Sequence, residues 1–213
     1  YCHIAEETEG SKSGNIGKFR IKSDERVKKE LNILKNEIGV KQVFISDDSI
    51  FGMKRRAIRL LKSIIGIGLS FIDVNGINMV HLLKKSSKPG WMIPDEEVIS
   101  LLAEVGFEDL VIPFESVNPR VQKKWNSNKV PLTRFDPVSL IKMIQKYKIK
   151  VGTNYMIGFP DETREEIETT INFGKKMKDS GINYQNFTLV MPVPGTPIFD
   201  YCIKSGQLPK DYN

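Results

Sequence analysis

Short β-branched runs alternate with longer amphipathic stretches along nearly the whole chain, and this alternation constrains the fold more than any other feature. Residues 24–38 (DERVKKELNILKNEI) set Val27, Leu31, Leu34 and Ile38 at helical spacing behind Ser23, a good N-cap. Gly39 stops that helix, and 42–46 (QVFIS) reads as a buried strand. The pattern repeats with a helix over 53–65, a strand over 69–74 (LSFIDV), a helix over 95–105, a strand over 110–114 (LVIPF) and a helix near 118–125. Asp136 caps a helix over 137–147 whose first position is Pro137. A strand over 150–157, a helix opened by the Thr163-x-x-Glu166 capping box and running to about 179, and a strand over 186–191 (NFTLVM) complete the series. One loop rich in proline, glycine and serine, 86–94 (SSKPGWMIP), interrupts it as surface or as a lid.

Five strand–helix units without a clear hairpin predict a parallel sheet joined by right-handed crossovers. The sheet is then either open and doubly wound or a full or partial barrel. No Gly-x-Gly-x-x-Gly follows a strand, which argues against a dinucleotide fold. Polar residues instead recur at the carboxyl ends of successive strands: Asp47-Asp48, Asn75, Glu115-Ser116 and Gly158. Barrel enzymes gather their functional groups there, so the expectation is an α/β partial barrel, one domain over residues 1–213.

At 213 residues, 40% of them hydrophobic, the chain can bury a sizeable core. No run approaches the roughly 20 apolar residues that span a bilayer, and no secretory leader is visible. Two cysteines, Cys2 and Cys202, nearly a chain length apart, do not make a disulfide framework, so the cytoplasm is the expected compartment. The net charge of +6 comes from basic residues scattered along helices, and runs such as Lys54-Arg55-Arg56 and Lys84-Lys85 are short and without interleaved aromatics, which reads as solvated helix faces rather than a nucleic-acid surface. The opening at Tyr1 rather than Met suggests a longer parent or a processed start.

Each strand-end motif has two readings. Asp47 and Asp48 can receive an ammonium group or a metal, or they can cap a helix and meet solvent. Glu115 and Ser116 can hold a ribose or an amino acid, or cap the helix starting near Asn118. Gly158, in Gly-Phe-Pro-Asp-Glu-Thr, lets backbone approach a ligand closely, and Pro192-Val-Pro-Gly-Thr-Pro fixes a rigid turn.

Taken in order, these motifs resemble the radical S-adenosylmethionine (SAM) superfamily, in the branch that includes anaerobic magnesium-protoporphyrin IX monomethyl ester cyclases and cobalamin-dependent methyltransferases. Tyr1-Cys2-His3-Ile4 resembles the end of that family's Cys-x-x-x-Cys-x-x-Cys loop. The other matching segments are Lys18-Phe19-Arg20 through Glu30, Phe44–Asp48, Val74–Ile77, Pro113–Ser116, Tyr155–Thr163 and Pro192–Pro197. The resemblance implies a 4Fe–4S cluster and SAM as cofactors, with a 5′-deoxyadenosyl radical as reagent, and cobalamin in a longer parent. It implies Cys2 as a cluster ligand and Tyr1 against the adenine. Asp47 and Asp48 would receive the methionine ammonium; Glu115 and Ser116 would hold the ribose or carboxylate end. Asn75, Gly158 and Pro192 would complete the SAM site, with Gly158 and its neighbours contacting adenine through backbone. The implied partners are a small-molecule substrate for methyl transfer, cyclisation or oxidation, and an electron donor such as flavodoxin or ferredoxin.

The same resemblance places the first strand of a (β/α)6 barrel and two more cluster cysteines upstream of Tyr1. One thiolate cannot hold a 4Fe–4S cluster, so the isolated chain is expected to be inactive and to expose a sheet edge. His3 could in principle ligate iron, and Cys202 reads as a small buried residue. The alternative is an inactive barrel serving as a ligand-binding or scaffold domain.

Overall fold

Five parallel strands lie in one sheet in the order in which the chain makes them: β1 (Gln42–Ile45), β2 (Ser70–Asp73), β5 (Phe107–Pro113), β6 (Lys150–Ile157) and β7 (Tyr184–Leu189). The computed structural model describes residues 20–47, 49–125, 130–209 and 211–212. A doubly wound sheet would reverse its direction of growth at a switch point. This one does not, so its right-handed crossovers all place helices on the same face and leave the other concave, as in a partial barrel. Among the described residues β1 and β7 each pair with one neighbour, and the barrel is open between them.

The helices are α1 (Asp24–Asn36), α2 (Lys54–Ser63), α3 (Glu96–Val105), α4 (Pro119–Lys124), α5 (Pro137–Lys146), α6 (Arg164–Asp179) and α7 (Pro197–Lys204). The caps expected from sequence are present. Ser23 accepts from the Arg26 N–H, Asp136 from the Val138 and Ser139 N–H groups, and Thr163 forms a complete capping box with Glu166. Leu110, Ile112, Val151 and Tyr155 on the sheet pack with Ile99 and Leu102 of α3 and Leu140, Ile141 and Ile144 of α5 in one buried core. Phe114, Tyr155 and Phe187 stand in a row across neighbouring strands, with Tyr155 and Phe187 stacked at 4.7 Å. Gly174 of α6 sits on that row, where a Cβ would come within 2.5 Å of the Phe187 ring.

Three expectations need correction. The strand expected over 110–114 begins at Phe107, because Phe107 and Asp109 already pair with Phe71 and Ile72 of β2. The loop 86–94 is part of an antiparallel hairpin, β3 (Leu83–Lys85) with β4 (Met92–Pro94), so the strand–helix series is not unbroken. Strands of three residues are too short to show a period. The last strand begins at Tyr184, two residues earlier than its apolar run, because tertiary pairing holds those polar residues. The Asn183 side chain accepts from the Val151 N–H at 2.9 Å, and the Tyr184 ring lies over Gly152.

The concave face is more polar. Along β6, Val151 and Tyr155 join the helix-side core, so Gly152, Asn154 and Met156 take the opposite face. A Cβ on Gly152 would overlap the Tyr184 ring, whose hydroxyl donates to Asp109 at 2.8 Å. Burial raises the Asp109 pKa against that hydrogen bond, and burial with the neighbouring acid raises the Tyr184 phenol. One layer further along, Asn186 donates to Asn154 at 3.2 Å.

Candidate functional site

The carboxyl ends of the strands are tied to one another, neighbour to neighbour, by polar groups. Asn75 donates its amide to the Ser46 carbonyl at 2.8 Å, joining the ends of β2 and β1. Asp73, at the end of β2, is buried and accepts from the Gly76 N–H through Oδ1 and the Val111 N–H through Oδ2, each at 3.3 Å. Its carboxylate thus takes over a ladder position just past the register shift between β2 and β5. Burial pushes its pKa up to about 6, and the two backbone donors only partly offset that.

Between β5 and β6 the link is doubled. The N–H groups of Phe114 and Glu115 both donate to the Asn154 carbonyl. Glu115 is buried at φ +61°, a left-handed conformation that costs a non-glycine residue about 1 kcal/mol or more and that clusters at functional sites. The buried Ser116 hydroxyl then donates to Glu162 Oε1 at 3.2 Å, while Glu162 Oε2 accepts from the N–H groups of Gly158 (2.7 Å) and Phe159 (3.1 Å). The adjacent acid, Asp161, turns the other way. It accepts from Arg120, Lys124 and the Trp125 indole, and Arg120 also forks onto Glu166. Burial works against the charge on Asp161, but the Lys124, Arg120 and Trp125 donors outweigh it and hold the carboxyl at about 2. Beneath these loops Val121, Trp125, Phe159, Ile198 and Cys202 form a separate apolar cluster.

The expected site residues fall along this rim. Asp47 is exposed just past β1 and caps no helix, since α2 has Met53 at its N-cap without a side-chain bond. Asn75 is exposed, and Ser116 accepts from the Asn118 N–H, but Asn118 itself caps α4. Gly158 has φ +81°, and a Cβ there would meet only Leu189, at 3.7 Å. Pro192 is half-buried in the turn before α7, which Thr196 caps. Cys202 is buried on α7 as expected, and burial raises its thiol pKa. Tyr1, Cys2, His3 and Asp48 lie outside the described residues. Sequence reasoning did not single out Asp73, Arg120, Asp161 or Glu162. The signal was present at Glu162, because two successive N–H groups after a strand need an acceptor and the nearest acids are Asp161 and Glu162.

The rim therefore offers exposed and buried carboxylates, a hydroxyl, a primary amide and an open glycine turn. Arg120 and Lys124, the cations beside it, are already held by Asp161 and Glu166. This donor set fits an ammonium group and sugar hydroxyls better than a phosphate. Among the described residues no group of three or more His, Cys, Asp and Glu could hold a metal ion.

Residues 1–174 match the family model described as the Radical SAM superfamily. The chain belongs to that superfamily. An uncharacterized methyltransferase of Pyrococcus horikoshii is 33% identical over 201 residues, covering 93% of this chain and 39% of the relative. The bacteriochlorophyllide d C-12(1)-methyltransferase of Chlorobaculum tepidum is 27% identical, covering 85% of this chain and 36% of its own length. Among solved structures, the radical SAM methyltransferase TsrM of Kitasatospora setae, with cobalamin and a 4Fe–4S cluster bound, superposes with a TM-score of 0.67. It shares 16% identity, covering 86% of this chain and 34% of TsrM, so it bears on fold alone. The radical SAM chain thus spans less than two fifths of either relative's length. The family inferred from the ordered motifs is the family found, and SAM with a 4Fe–4S cluster is the cofactor pair of that family. No helix among the described residues is long and apolar enough to cross a membrane.

Proposed function

We propose that this chain is the SAM-holding core of a radical SAM methyltransferase acting on a small molecule, with cobalamin bound by another part of the whole protein. The observation that carries the reading is the rim, where Asp47, Asn75, Glu115, Ser116 and Gly158 share one end of the sheet and Glu115 is kept in a strained conformation. The methyltransferase names of two relatives support the reaction class. With a reduced 4Fe–4S cluster bound, SAM would supply a 5′-deoxyadenosyl radical, and SAM would also be the methyl donor.

In this reading Cys2 is a cluster ligand and Tyr1 lies against the adenine. Asp47 and Asp48 receive the methionine ammonium, a charge-assisted bond at an exposed strand end. Glu115 and Ser116 receive the ribose hydroxyls or the carboxylate end. Asn75 holds the β1–β2 ends together beside the ammonium site. The Gly158 N–H is engaged by Glu162, so any adenine contact at Gly158 is made by its carbonyl and the open α-carbon. Pro192 stiffens the last turn of the rim. The concave face behind the rim, with Asn154, Met156, Asn186 and Thr188, receives the substrate. A one-electron donor of the flavodoxin or ferredoxin type supplies the reduction.

The test uses the full-length protein, reconstituted anaerobically with iron and sulfide, reduced with dithionite and given SAM. S-adenosylhomocysteine and 5′-deoxyadenosine are quantified beside a Cys2→Ala variant. Either product from the wild type and neither from the variant supports the proposal. No product, with no iron retained by either protein, refutes it and leaves a ligand-binding barrel.

A further inference from the structure

The two neighbouring acids after β6 divide their work, and the geometry points to Glu162 as the positioning residue that sets the spacing between the two SAM-holding loops. The inference rests on the SAM reading above and adds a residue that this reading does not use. Glu162 does not meet the ligand in it. Oε2 collects the Gly158 and Phe159 N–H groups and Oε1 takes the Ser116 hydroxyl, so one side chain fixes the glycine turn and the Glu115–Ser116 strand end together.

Three features make this more than a local turn. First, the bridge spans 46 residues of sequence between Ser116 and Glu162, so it ties tertiary neighbours. Second, the loop carrying Glu162 is gripped from outside by its neighbour Asp161, through Arg120, Lys124 and Trp125 of the α4 segment. The Gln207 amide donates to the Pro160 carbonyl at 2.6 Å and holds it from the α7 side. The carboxylate at position 162 therefore cannot follow the ligand; the ligand must fit the gap that Glu162 sets. Third, Glu115 sits directly before Ser116 in its left-handed conformation, so displacing Ser116 releases the turn that aims Glu115. Preorganising such a pair before binding lowers the ordering cost of the bound state.

Reach and acceptor geometry, not charge, are what this role demands. Gln keeps the reach: its carbonyl can take both N–H groups while its amide donates to the Ser116 oxygen, which has a second lone pair beside the Asn118 N–H. Asp keeps the charge and is one methylene short. If Glu162 served instead as one more acid ahead of α6, favoured by the helix dipole, Asp would preserve its effect and Gln would lose it.

The experiment compares full-length wild type, Glu162→Gln and Glu162→Asp by two readouts: SAM affinity by equilibrium dialysis, and amide hydrogen exchange at Gly158 and Phe159 without SAM. The expected result is wild-type behaviour for Gln. For Asp, exchange at both amides is faster and the SAM Kd rises about tenfold, the size of losing one hydrogen bond to a charged group. Wild-type behaviour for Asp, or a Gln variant as weak as Asp, overturns the inference. The exchange readout needs no SAM. Protected amides in wild type and Gln with no SAM bound by any protein would therefore refute the SAM reading, and with it the positioning role, while leaving the hydrogen-bonded link intact.

Discussion

Replacing Asp73 by Asn should change how the stability of this chain depends on pH more than it changes stability at any one pH. In the folded state burial lifts the Asp73 carboxyl from 3.8 to about 6. The fold therefore binds more protons at Asp73 than the unfolded chain does between those values. Stability from this group is complete below about pH 4 and is lost as pH rises through about 6. Raising a carboxyl from 3.8 to about 6 corresponds to roughly 3 kcal/mol. Asn carries no such term. It also turns an amide NH₂ toward one of the two N–H donors, Gly76 or Val111, at a cost to the variant of about 1–3 kcal/mol. Urea titrations followed by tryptophan fluorescence should then show the variant clearly weaker than wild type at pH 4. The gap should close by roughly 3 kcal/mol toward pH 7.5. Parallel pH profiles for the two proteins would refute the argument, because they would mean that Asp73 is charged in the fold at pH 4 or is solvated.

Three further outcomes follow from the geometry. Gly152→Ala should cost about 1–3 kcal/mol by overpacking, since the new methyl displaces the Tyr184 ring from Asp109; thermal unfolding and a shifted Tyr184 titration would report it. Thr163→Ala removes the capping-box acceptor of the Glu166 N–H, and should lower stability by about 1 kcal/mol with faster amide exchange confined to the first turn of α6. Asp161→Asn should destabilise by roughly 1–2 kcal/mol at pH 7, where the wild-type carboxylate holds Arg120 and Lys124. Because that carboxyl is held at about 2, the deficit should persist to pH 4 and shrink only below it, as acid unfolding curves would show.

The parts of the fold that were legible in the sequence are those decided locally. The α5 cap at Asp136 and the α6 capping box were readable because cap and helix are adjacent residues. The β6 strand was readable because it is eight residues long and closed by Gly158. The β3–β4 hairpin was not, because three residues on each side carry no measurable period. The start of β7 was not, because Tyr184 is held across the sheet by Gly152 and Asp109 rather than by its own neighbours. In the site, the strand-end acids were visible as polar residues closing apolar strands. Asp73 was hidden inside the strand expected over 69–74, though β2 ends on it, and Glu162 looked like an ordinary acid ahead of a helix. Their partners, Val111 and Ser116, lie 38 and 46 residues away.

The consecutive strand order also bears on how such a chain can diversify. Each crossover adds one loop to the rim and at least one helix to the outside, and each rim contact joins only adjacent strands. A length change between a strand and its following helix therefore disturbs two neighbouring contacts at most and leaves the sheet register alone. The β3–β4 hairpin is an example already present in the molecule, as it enlarges the β2-to-α3 connection while β2 still pairs with β5. Remodelling one unit at a time gives this architecture a modular route to new substrates around an unchanged cofactor seat.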